Sequence, residues 1–133
     1  MLVSLAVSLA MTYILVLTAL LLTATTAHSN DENGNTLLSQ CSEAVRFQDG
    51  ILDVDSEKAL NCLSFLDGLK AALHLWQQVD KASSITCLPT SVHNGQASRI
   101  IVEYGRKNPS ILHHHHIVLS VQALQDAFPC EEV

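Results

Sequence analysis

Aromatic residues and cations are both scarce in this chain. One Trp, two Tyr and three Phe make up 5% of its 133 residues. A core so poor in rings must be filled by Leu, Ile, Val and Ala, which suits packed helices better than a sandwich. Seven Lys and Arg face thirteen Asp and Glu, giving a formal charge of −6 at pH 7. No stretch is rich in Lys and Arg, and no basic run is interleaved with aromatics, which argues against a nucleic-acid partner. The sequence has no C-x₂₋₄-C pair, so a cysteine zinc site is not expected. It also has no Asn-x-Ser/Thr acceptor, because Asn108-Pro109-Ser110 carries proline in the middle.

The chain opens on an apolar run. Met1 to Leu22 is interrupted only by Ser and Thr, and Thr25-Thr26-Ala27 supplies small residues before the polar stretch from His28 to Glu32. This reads as a signal peptide over residues 1–27, cleaved after Ala27. No Lys or Arg precedes the run, and the first basic residue is Arg46. The competing reading is an uncleaved anchor, since the run is about long enough to span a bilayer. Thr and Ala crowd the end where an anchor would carry a basic stop, which favours cleavage and no membrane attachment afterwards. The rest of the chain is one domain of roughly a hundred residues, small enough that covalent staples help it. Four cysteines behind an export signal read as two disulfides in an oxidising compartment.

The exported part divides into a flexible lead-in, residues 28–35, and an all-α domain, residues 36–133. Thr36 can cap a first helix running to Arg46, with Leu37, Leu38, Cys41, Ala44 and Val45 at helical spacing. Asp55 or Ser56 caps a second, whose stripe is Ala59, Cys62, Leu66, Leu69, Leu73 and Trp76. Gly68 inside it reads as the mark of a close helix crossing. Asn94 can cap a third helix to about Lys107, with Ala97, Ile100, Ile101 and Tyr104 inward. Asn108-Pro109 has the cap-then-proline signature of a fourth, running to Phe128 before Pro129 stops it. The expected fold is therefore a small bundle of about four helices, two hairpins in series. Antiparallel packing brings Cys41 level with Cys62, and Cys87 and Cys130 stand at the open ends of the second hairpin. Of three possible connectivities, Cys41–Cys62 with Cys87–Cys130 fits best.

The run His113-His114-His115-His116 asks for a function. On a continuous fourth helix, His113 falls in the middle of the apolar face with Ile117, Ser120 and Leu124, and His115 points outward. Only His113 and His116 then share a face at ligand spacing, with no Asp or Glu one turn away. The expectation is a structural His113, buried or half-buried, and no metal site. A histidine-dependent zinc or nickel binder is the competing reading. His74 and His93 read as structural, and Asp53 and Asp55 as a turn pair. With the cysteines claimed by disulfides, no nucleophile–base arrangement is legible, so neither enzymatic activity nor a cofactor is expected.

The second half carries a recognisable series: Cys87-Leu88-Pro89, Gln96, Ile100-Ile101-Val102-Glu103-Tyr104, Asn108-Pro109, Leu112-His113, Leu119, Ala123-Leu124 and Ala127-Phe128-Pro129-Cys130. With Cys41 and Cys62-x-x-Phe65-x-x-Gly68, it resembles the Rap/Tai family of immunity proteins, which protect bacteria against type VI secretion amidases. The resemblance spans roughly Leu37 to Cys130. His113 matches a single histidine of that pattern. His114, His115 and His116 depart from it, and Ser64 replaces a common Gly. The resemblance implies a small periplasmic protein, often a homodimer, that binds a secreted peptidoglycan amidase effector and blocks its active site. A periplasmic binding or assembly module of the same fold without a toxin partner is the alternative. The turn Arg106-Lys107-Asn108, joining two rigid helices, is the expected contact element; the same residues also suit a basic helix end that complements the dipole.

Overall fold

The computed structural model describes residues 32–130; the predicted signal segment and its cleavage point lie outside them. Among the described residues the chain forms four α-helices: α1 (Gly34–Gln48), α2 (Ser56–Val79), α3 (Asn94–Lys107) and α4 (His116–Ala127). Single 3₁₀ turns, Lys81–Ser83 and Pro109–Ile111, sit in the connections. None of these helices is long and apolar enough to cross a membrane.

The apolar spacing decides which faces are buried. Leu37, Cys41 and Ala44 of α1 meet Ala59, Cys62, Leu66 and Leu73 of α2, and Ala97, Ile101 and Val102 of α3 with Leu119, Ala123 and Leu124 of α4 complete the core. Each fully buried Leu or Ile contributes about 1.5–3 kcal/mol over exposure. Helix α1 packs against all three others, so it is the central element and the two expected hairpins share it.

Both expected disulfides are present. Cys41–Cys62 joins α1 to α2 in the interior, with both residues fully buried. Cys87–Cys130 ties the α2–α3 connection to the segment after α4. Thr86 reinforces the second staple: its hydroxyl, itself buried, donates to the Leu124 and Phe128 carbonyls at 3.3 and 3.0 Å, and the Cys87 amide donates to the Phe128 carbonyl. The Leu124 carbonyl in the last turn of α4 and the Phe128 carbonyl just after it thus accept from the loop to which the disulfide ties this end of the chain.

The helix starts differ from the sequence reading in three places. Helix α1 begins at Gly34, two residues before Thr36, because the Asn33 side chain accepts from the Thr36 amide. Helix α3 is capped by His93, whose Nδ1 accepts from the Gln96 amide, while Asn94 reaches to the Leu63 carbonyl and Asp67 on α2. Asp55, one of the two residues expected to cap α2, does so through the Lys58 amide.

The third difference is the largest. Asn108-Pro109 starts only a 3₁₀ turn, and α4 starts at His116 with His115 as its cap. The backbone of the histidine run is engaged elsewhere: Gly34 donates to the His114 carbonyl, and His116 donates to the Glu32 carbonyl, both at 2.9 Å. This antiparallel bridge between Asn33 and His115 withdraws the groups a helix would need. Histidine has only middling helix propensity, so little opposes the exchange.

Gly34 makes that bridge possible. A Cβ there would stand 2.9 Å from the Leu112 Cα and 3.0 Å from its carbonyl oxygen. That carbonyl is also fixed by two bonds from Asn35, through its amide and side chain. Gly34→Ala is therefore expected to destabilise the protein by about 1–3 kcal/mol, as an overpacking change at unyielding backbone. Thermal unfolding reads this as a fall in Tm of roughly 5–15 °C. An unchanged or higher Tm would show that the lead into α1 is not held in this way.

Candidate interaction surfaces and the histidine cluster

Arg106 and Lys107 occupy the last turn of α3, both exposed, and neither forms an ion pair among the described residues. Their charge complements the negative end of the α3 dipole. Asn108 is more constrained. Its amide and its side-chain Nδ2 both donate to the Tyr104 carbonyl, closing the helix. The turn is thus a rigid corner presenting two unpaired cations. Beside it, Ser110, Ile111, His113, His114, Val118 and Gln122 line an open groove.

The structure corrects the picture of the histidine run. His113 is exposed in the turn before α4 instead of central on an apolar face, since the helix that would have buried it begins three residues later. Its ring lies against His114, centroids 4.6 Å apart. His115 caps α4: its Nδ1 accepts from the Ile117 amide at 3.3 Å, and its Nε2 faces the Glu32 carboxylate at 3.3 Å. His116, at the first helical position, is partly buried between the Phe65 ring at 4.5 Å and the His115 ring at 4.4 Å. Burial, with the neighbouring His115, pushes the His116 imidazole below the usual histidine range. Glu32, His115 and His116 therefore converge, a grouping invisible to a helical wheel because Glu32 comes from another segment.

His93 is a cap, and His74 is half-buried with an unpartnered Nε2. Asp53 and Asp55 belong to the α1–α2 turn, which Arg46 and Glu43 organise. Arg46 clamps both Glu43 carboxylate oxygens, at 2.9 and 2.7 Å, and also donates to the Asp53 carbonyl. The Asp55 amide donates to Glu43. That bond first, and Arg46 second, hold the Glu43 carboxyl below its ordinary range. No cysteine of the chain is free.

One surface has no counterpart in the sequence reading. Leu60, Ser64, Gly68, Ala71, Leu75 and Val79 recur every three or four residues along α2 and are all exposed. Leu60 is 62%, Leu75 61% and Val79 78% exposed. A Cβ on Gly68 would meet nothing within 4 Å, so no helix of this domain crosses there, contrary to the expectation. The stripe is legible as a second apolar row on the helix, but the row through Cys62 and Leu66 dominates the pattern.

The structure is that of an acidic four-helix module stapled by two disulfides. The chain belongs to the Rap1a immunity proteins, a family that matches residues 33–130. Comparison with curated proteins and with solved structures gives no match. Membership makes this an immunity-family protein, whose task implies a cognate effector. The two disulfides and the family together point to an exported protein.

Proposed function

We propose that the chain is a periplasmic immunity protein that binds a type VI secretion peptidoglycan amidase and occludes its active site. The observation that carries this is the match to the immunity family over residues 33–130, nearly the whole described domain. The amidase itself comes from the Rap/Tai resemblance of the cysteine, Leu-His and Ala-Phe-Pro-Cys motifs. On this reading residues 1–27 are a signal peptide removed after Ala27, and the exported chain works by binding, without an enzymatic activity or cofactor of its own. Arg106 and Lys107 reach toward the amidase from the rigid corner that Asn108 closes, and His113 serves the local structure of the turn beside them. Two cations on a protein of net charge −6 would contact a locally acidic part of the effector.

A tagged chain, exported so that both disulfides form, should capture one secreted amidase stoichiometrically from an extract of the source bacterium with secretion active. Capture only of envelope proteins, or of nothing, would transfer the reading to a binding or assembly module of the same fold without a toxin.

A homodimer is part of the same proposal, and the α2 stripe supports it: small residues at Ser64, Gly68 and Ala71 allow close approach, with Leu60, Leu75 and Val79 flanking them. Sedimentation should then find a dimer that Leu75→Asp converts to a folded monomer. A monomeric wild type would remove this part.

A further inference from the structure

We propose that Glu32, His115 and His116 form a zinc site that fastens the lead into α1 to the start of α4. Three observations converge on it. The first is the donor set: one ligand atom from each of these residues lies within 4.8 Å of the others. Two imidazoles and a carboxylate are a recurrent three-ligand set for zinc, with water in the fourth position. The second is position. The backbone bridge Asn33↔His115 and the bond from the His116 amide to the Glu32 carbonyl hold the two segments in register. The fold, and not chance rotamers, thus brings Glu32 to the histidines.

The third is distance. Ligands at about 2.0–2.1 Å around a tetrahedral zinc stand roughly 3.3 Å from one another. His115 Nε2 and Glu32 Oε2 are already 3.3 Å apart. Their side chains are 50% and 64% exposed, so both can turn the remaining distance toward His116. The partly buried His116 is the fixed wall of the site, held by the Phe65 ring.

Binding has a defined local cost. His115 Nδ1 now accepts from the Ile117 amide, so the neutral ring carries its hydrogen on Nε2, facing Glu32. Zinc at Nε2 requires that hydrogen to move to Nδ1, which ends the cap bond to Ile117. The metal thus replaces a long, 3.3 Å cap with a coordination bond at the same helix start. Because the three ligands meet only in the folded chain, zinc also raises Tm. His113 and His114 stand apart, lining the groove with Ser110 and Val118, and serve as the internal control.

Calorimetric titration of zinc into the whole exported chain, purified without an affinity tag, tests the site. The expected result is one zinc per chain, with affinity weakened about tenfold or more by Glu32→Gln, a loss at least as large as those for residues that only support ligands. Glu32 is exposed, so that variant keeps the fold. The double variant His113→Ala, His114→Ala should bind like the wild type. In the wild type alone, nitrogen NMR should show the His115 hydrogen moving from Nε2 to Nδ1 with zinc. No zinc binding by the wild type would overturn the proposal. Undiminished binding by Glu32→Gln would overturn it as well, as would an equal loss in the double variant, which would mark unspecific binding by a histidine run.

Discussion

A chain carrying Cys41→Ala and Cys62→Ala together is expected to lose about 3–5 kcal/mol of stability. Two contributions add. The bond spans 21 residues of sequence, and opening a loop of that size returns about 3 kcal/mol of entropy to the unfolded chain. Both sulfurs are also fully buried between α1 and α2, so removing them leaves a gap at the helix pair around which the rest is built. For a domain of roughly a hundred residues such a loss is a large fraction of its total stability. Urea unfolding followed by far-ultraviolet dichroism measures it directly. The Cys87–Cys130 bond closes a longer loop, of separation 43, worth about 4 kcal/mol by the same entropy. Its residues lie nearer the surface, with Cys87 exposed, so its loss should free the end of α4 while sparing the core. A loss under about 1 kcal/mol for the buried pair would mean that the helix contacts suffice without it.

The second large effect concerns binding. On the proposed reading, Arg106→Glu with Lys107→Glu is expected to weaken binding of the proposed amidase partner by about a hundredfold or more, since like charges brought together at an interface cost several kcal/mol. The same change should lower stability much less, by about 0.3–1 kcal/mol per residue through the α3 dipole. Comparing Kd from calorimetry with Tm separates the two. Equal affinity for both proteins would move the contact surface elsewhere, the most exposed alternative being the α1–α2 turn, where Leu52 is 89% exposed.

The parts of this fold that are legible in the sequence are those where one physical signal dominates. Leu37, Cys41 and Ala44, or Ala97 and Ile101, repeat at helical spacing, and burial follows the period. The disulfides follow from helix lengths, because antiparallel packing leaves few pairs within reach. The start of α4 is not legible, because its competitor is non-local. Asn108-Pro109 is a sound start signal, yet the bridge to Asn33 outweighs it, and Glu32–Asn35 give no local sign that their partners lie at Leu112 to His116. For the same reason the helical wheel puts His113 and His116 on one face, whereas the fold brings His115 and His116 together with Glu32. A wheel compares residues along one helix and has no means of adding Glu32. Along α2, Gly68 does mark an unusual position, but not a crossing inside the domain: within the described chain its face is open.

The most direct test of the proposed function is a titration of the exported, disulfide-bonded chain into the proposed amidase partner while peptidoglycan turnover is followed. Occlusion predicts that turnover falls linearly and stops at one immunity chain per amidase active site. Continued turnover in the presence of a saturating, folded excess would contradict it.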